Sequence, residues 1–330
     1  MIQVNGLYKN YGNHPAVRDV SFKIDDGEIV GFLGPNGAGK STIMNIITGY
    51  LSMTKGSVEV DGYSVLDDPA QIRRRIGYLP EQPPLYMDMT VKEYLSFVYD
   101  LKKVKFPKEP HLREICKLVK LEDVYGRLIR NLSKGYKQRV GIAQALVGNP
   151  KVLILDEPTV GLDPKQIIEI RKLIEFLGRN HTVILSSHIL SEIQAVCKRI
   201  LIINQGVIVA DDTKENLTRN ISGKDVITVR VEGAQKDVLK ILREIPGVKS
   251  AAAGGHRDTK AMDYIVEPED KMDIRKDIFR AFAETDMAII GMASNEMSLE
   301  QIFLKLTDAA TAEETIRTLN EKKEEREGNK

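Results

Sequence analysis

The chain has 330 residues, 42% hydrophobic and 29% charged, ordinary for a soluble globular protein and long enough for two domains. A net charge of +1 gives no bulk electrostatic case for a nucleic-acid surface, and no nucleic-acid partner is expected. Two distant cysteines, Cys116 and Cys197, argue for reduced thiols, while no apolar run approaches the ~20 residues of a membrane span and the N-terminus lacks a secretory signal.

Residues 1–215 carry one α/β pattern. Val17–Asp25, "VRDVSFKID", alternates as a half-exposed strand, and Glu28–Gly34, "EIVGFLG", reads as a buried strand running into a glycine-rich turn. Further buried strands are expected at "RIGYLP", "KVLILDE", "TVILSSH" and "RILIINQG", with helices between them, so the sheet should be mostly parallel. Across about 88–148 the strands give way to helical periodicity, which suggests an inserted helical subdomain. Residues 216–224 read as a linker. From 225 to 308 the pattern β-α-β-β-α-β predicts a small ferredoxin-like α+β domain, closed by the short helix "SLEQIFLKLT". In the hairpin turn "GGHRD", His256 reads as a turn residue. Residues 309–330 form a mixed-charge tail with the composition of frayed helix or disorder.

The chemistry gathers at two strand ends. "GPNGAGKST", comprising Gly34, Pro35, Asn36, Gly37, Ala38, Gly39, Lys40, Ser41 and Thr42, fits G-x-x-x-x-G-K-[ST] between a buried strand and a helix. Glycines let successive backbone N–H groups turn towards a phosphate, and the helix N-terminus adds its positive dipole end. Lys40 supplies a point charge to the outer phosphates, Ser41 a hydroxyl to Mg²⁺, and Thr42 a contact to the inner phosphate. In "KVLILDEPTVGLDP", Asp156 is placed to hold the Mg²⁺ shell and Glu157 to polarise an attacking water. A glycine turn that binds nothing, or a solvated acidic turn, would explain either motif alone, but not the two in one chain.

These residues, with five further ones in order, closely resemble the nucleotide-binding subunit of an ATP-binding-cassette (ABC) transporter over residues 1 to about 215. The resemblance implies ATP as ligand and the following roles. Tyr11 would stack on adenine, and Gln82 in "YLPEQPPLY" would touch Mg²⁺ and sense a permease. "LSKGYKQR" matches the signature motif, and Asp163 in "GLDP" a loop across which two subunits communicate. His188 in "SSH" would reach the γ-phosphate. Taken singly, Tyr11, Gln82 and His188 would read as an ordinary aromatic, a loop amide and a helix-entry residue. Their order around one phosphate loop outweighs that.

In this family two copies, head to tail, hold ATP between the phosphate loop of one and the signature of the other. The resemblance therefore implies that Ser133 and Gly135 act on ATP held by a partner subunit, with Ser133 equally able to serve as a helix cap. Lys134 and Tyr136 depart from the commoner "LSGGQ", and the direction of the lysine is not fixed by sequence. That variant and the closing "MSLEQIFLKLT" resemble an export-type subset. The expected partners are a second ABC subunit, identical in the simplest case, and a membrane permease, which would place the protein at the cytoplasmic face of the membrane. The appended domain would extend the dimer interface or contact the permease. Alternatives are a soluble ABC ATPase in translation, repair or assembly, and an importer ATPase; the single phosphate loop and the lack of zinc cysteines weigh against the soluble types.

Overall fold

The computed structural model describes residues 1–221, 227–256, 261–269, 272–283, 285–294, 299–308, 313 and 317. The chain divides into two compact units, Met1–Lys214 with Phe303–Lys330, and Glu215–Ile302.

In the first unit, β1 (Ile2–Tyr11), β2 (His14–Ile24), β3 (Ile29–Leu33), α1 (Lys40–Ile47), β4 (Lys55–Val60), β5 (Tyr63–Ser64), α2 (Pro69–Arg75) and β6 (Ile76–Leu79) come first. There follow α3 (Val91–Leu101), α4 (Lys108–Leu118), α5 (Lys134–Leu146), β7 (Val152–Asp156), α6 (Pro164–Leu177), β8 (Thr182–Ser187), α7 (Leu190–Val196), β9 (Arg199–Asn204) and β10 (Val207–Thr213), while α8 (Lys214–Ile221) falls in the second unit from Glu215 on. Among the described residues they build two sheets, an antiparallel one in the order β2-β1-β4-β5 and a larger one in the order β10-β9-β3-β8-β7-β6. The larger sheet is parallel from β9 to β6, with β10 antiparallel at its edge. Its strands are buried on both faces, which is why they read as unbroken apolar runs.

The antiparallel sheet enlarges what the sequence reading expected. The strand read from Val17 begins at His14, and β1, β4 and β5 join it, with Ile2, Val4, Val58, Val60 and Ile24 on the covered face. Their alternation is interrupted by register shifts at Asn5–Tyr8, which hides the period in the sequence. One core draws on both sheets and on α1, where Phe22 meets Phe32 edge to face at 5.3 Å.

Helices α3 to α5 fill the strandless stretch. Thr90 starts α3 with a reciprocal cap: its hydroxyl accepts the Glu93 N–H and the Glu93 carboxylate accepts the Thr90 N–H. α5 returns to the sheet on β6, where a Cβ on Gly77 would lie 2.2 Å from the Ala145 carbonyl oxygen; only glycine permits that approach.

In the second unit, β11 (Ile227–Glu232), α9 (Gln235–Glu244), β12 (Val248–His256), β13 (Ala261–Pro268), α10 (Arg275–Ala283) and β14 (Ile289–Ser294) form an antiparallel sheet in the order β12-β13-β11-β14. Val229, Val231, Tyr264 and Val266 from the strands pack with Val238, Leu242, Ile278 and Phe282 from the helices. α11 (Leu299–Thr307) follows.

Three boundaries differ from the sequence reading. The stretch read as a linker, 216–224, is helical as far as Ile221 because Leu217 has a buried site; 222–226 lie outside the described residues. Residues 303–308 group with the first unit rather than ending the appended domain, and Asn204 donates to the Asp308 carbonyl. His256, read as a turn residue in "GGHRD", is instead the last residue of β12 and pairs with Met262; Arg257 and Asp258 lie outside the described residues, as does the tail 309–330 apart from Glu313 and Arg317.

Candidate active site

Three neighbouring strands of the parallel sheet end together. β8 lies between β3 and β7, with Leu33 opposite Ser187 and Asp156 opposite Ser186. Crevices beyond the carboxyl ends of such strands are where open α/β sheets bind ligands. Here the phosphate loop leaves β3, Asp156 and Glu157 close β7, and Ser187 and His188 close β8.

The loop is shaped by its glycines. Gly37 and Gly39 take φ of +79° and +107°, in or beyond the left-handed region, and a Cβ on Gly34 would come within 2.2 Å of the Ile203 carbonyl oxygen. Gly39 caps α1 with no side-chain partner, so the helix N-terminus stays open to a ligand. The loop opens onto a cleft of about 580 Å³ lined by Ala16, Asn36, Gly37, Ala38, Gly39, Lys40, Ser41, Thr42, Glu81, Glu157, Val160 and His188.

Lys40 is buried and donates to the Gly34 carbonyl at 2.6 Å and to that of Pro35 at 3.2 Å, with a Glu157 oxygen at 3.8 Å. Burial pushes its ammonium below the ordinary lysine value, opposed by the carboxylates of Glu157, Asp156 and Glu81. His188 Nδ1 lies 3.0 Å from both Glu157 carboxylate oxygens, the contact an Nδ1–H makes. Glu157 holds φ +48°, a strained value for a residue with a side chain, and its N–H donates to Ser186 Oγ at 2.9 Å. Ser186 in turn donates to Asp156. Behind His188, Glu192 accepts hydrogen bonds from Thr159 Oγ1 at 2.6 Å and Ser187 Oγ at 2.8 Å.

Thus the fold gathers the phosphate loop, Asp156, Glu157 and His188 at one end of the sheet. Other sequence candidates stand apart. Tyr11 is about half exposed at the end of β1, with Lys9 Nζ 5.4 Å from its ring centroid, and does not line the cleft. Gln82 is exposed, and its neighbour Glu81 lines the cleft instead. Ser133 caps α5, its hydroxyl accepting the Tyr136 N–H at 3.4 Å, and neither it, Lys134 nor Gly135 reaches the cleft of its own chain. Asp163 caps α6, accepting the Gln166 N–H at 2.9 Å.

Sequence reasoning passed over Ala16, Glu81, Val160, Ser186 and Glu192. Glu192 carries no distinguishing signal, since an acid in the first turn of a helix is the commonest place for one. Glu81 carries no motif of its own beside Gln82, and Ser186 lies inside an apolar strand.

The donor set suits a nucleoside triphosphate: backbone N–H groups at an uncapped helix N-terminus, a loop whose Gly37 and Gly39 hold positive φ, and a buried ammonium. Ser41 and a strand-end carboxylate give oxygen donors of the kind Mg²⁺ takes. Such a site defines a P-loop nucleotide-hydrolysing cassette.

The family model for the ABC transporter matches residues 17–160. The linearmycin resistance ATP-binding protein LnrL of Bacillus subtilis is 33% identical over 314 residues, 93% of this chain and 98% of the relative. The bacitracin transport ATP-binding protein BcrA of Bacillus licheniformis is 31% identical, covering 94% and 98%. Among solved structures, the dimeric bacterial ABC transporter cassette MJ0796 superimposes with a TM-score of 0.60 at 29% identity, covering 64% of this chain and 98% of that one. The same cassette was also solved in a post-hydrolysis state bound to ADP and Pi. The chain belongs to the ABC transporter family, as an ATP-binding subunit with ATPase activity.

Proposed function

We propose that two copies of this chain pair head to tail, bind two MgATP between them, and drive a separate membrane permease from the cytoplasmic face of the cell membrane, in the direction of export. The observation that carries this reading is the separation within one chain. Lys40, Glu157 and His188 meet in one cleft, while Ser133 and Gly135 present a helix N-terminus elsewhere, so each site is incomplete without a second copy.

In this reading the loop from Gly34 to Thr42 binds the polyphosphate through its N–H groups, and Lys40 turns from its carbonyl partners to the outer phosphates. Glu157 orients and polarises the water. His188, already against Glu157, stabilises charge on the transferring group. Mg²⁺, when bound, would neutralise phosphate charge, and Ser41, Asp156 and Gln82 are the residues that would hold it. Ser133 and Gly135 belong to the partner's site, Asp163 to communication between sites, and Tyr11 to the adenine. ATP bridging gives the closed pair the differential affinity that a two-state switch needs.

A permease contact is supported by the exposed cluster just after Gln82. Tyr86 packs edge to face on Phe97 at 5.5 Å, and both stay substantially exposed beside Met87. Export is supported by two relatives, one a linearmycin resistance protein and one a bacitracin transport protein. No helix among the described residues is long and apolar enough to cross a membrane.

The first test is Glu157→Gln. Turnover should fall about a hundredfold or more while ATP binding persists, the size of a lost general base, and an ATP-bound dimer should accumulate. Wild-type turnover would remove Glu157 from its role. Affinity capture from detergent-solubilised native membranes should recover a polytopic membrane protein in stoichiometric amount. Recovery of ribosomes or soluble assembly factors alone would overturn the transport role.

A further inference from the structure

The lysine in "LSKGYKQR" has a direction in the structure. Its side chain runs back over its own chain onto Gly161: a Cβ there would lie 1.9 Å from Lys134 Nζ, 2.9 Å from Cε and 3.3 Å from Cδ. Gly161 also holds φ +69°, a backbone conformation that favours glycine. One residue further along the same helix, Gly135 presses on α6, where a Cβ would meet the Gln166 carboxamide at 2.6 Å.

Gly161 lies in a compact loop that begins at Glu157. Two turns close the loop, from Val160 N–H to the Glu157 carbonyl and from Leu162 N–H to that of Thr159. It is held at one side by Thr159 on Glu192 and at its far end by Asp163 on Gln166. Val160, between these points, lines the phosphate cleft. The middle of the loop rests on Lys134.

We propose that Lys134 is a positioning residue for Glu157: its side chain braces the 157–163 loop at Gly161 and thereby holds the strained Glu157 backbone in the geometry that aims its carboxylate into the cleft. A glycine at position 134 would leave Gly161 without that support. The lysine acts through the loop and not on the phosphates. The inference rests on Glu157 being the group that orients water.

The test uses the full-length protein and steady-state ATPase kinetics. Lys134→Ala should lower kcat about tenfold and leave the KM for ATP within about twofold, because the loss falls on transition-state geometry and not on ground-state binding. Lys134 is exposed, so the melting temperature should stay within a few degrees. Lys134→Met, which keeps the stem, should restore most of the rate. In a double-mutant cycle, Lys134→Ala should cost almost nothing further on top of Glu157→Gln.

A raised KM with kcat preserved would assign the lysine to the phosphates and overturn the inference, as would Met behaving like Ala or strict additivity with Glu157→Gln. A Glu157→Gln protein that turns over normally would instead sink the underlying reading of the site. The two failures are therefore separable.

Discussion

Glu157 shows how a single residue can depend on groups that do no chemistry themselves. Its left-handed backbone costs of order 1–3 kcal/mol and persists only where neighbours over-determine it. Ser186 is one such neighbour, accepting the Glu157 N–H and donating to Asp156. Ser186→Ala should reduce kcat about tenfold with ATP affinity nearly unchanged, checked by nucleotide titration beside turnover. A second residue makes a pH-dependent contribution. Lys102 Nζ donates to the Val147 carbonyl at 2.9 Å, beyond the end of α5, and burial holds its ammonium at about 8. The unfolded chain keeps that proton to about 10.4. Between about pH 8 and 10.4 the unfolded state therefore binds more protons than the fold. Stability from this group is flat below 8 and rises with pH across that window. Lys102→Met should abolish the rise, read as denaturant midpoints at both ends of the window.

Among the elements, the phosphate loop and α5 carry the demands that sequence expresses best. At Gly39 a Cβ would lie 2.8 Å from the Ala16 carbonyl oxygen at φ +107°, so Gly39→Ala meets strain and collision together. It should lose most ATP binding, measured with a fluorescent nucleotide, and lower stability by about 1–3 kcal/mol. α5 begins at Ser133, whose hydroxyl is a cap within the chain and, by the proposal above, a phosphate contact across the dimer. Ser133→Ala should cost about 1 kcal/mol of stability as a lost cap. The buried strands of the parallel sheet were legible because both faces are covered and the apolar runs are continuous. The antiparallel sheet was only partly so, because bulged strands break the alternation that marks a half-buried one.

For the whole molecule, the proposed unit of function is a pair of 37.0 kDa chains. Ser133→Arg in the Glu157→Gln background should keep the protein monomeric in ATP by size-exclusion chromatography with light scattering, where Glu157→Gln alone doubles in mass. A dimer in both would refute capping across the interface.

By itself the sequence determined the phosphate loop, the strand-end acids, the helical insert and the order of the later elements, because each rests on residues close together in the chain. Only the tertiary structure decided that Asp156, Glu157 and His188 meet the loop while Ser133 and Tyr11 do not. It alone showed Glu81 lining the cleft, Glu192 bracing from behind and Lys134 lying on Gly161. Those are contacts between segments distant in sequence, fixed by strand order and by the close approaches that glycines permit, and no local pattern encodes them.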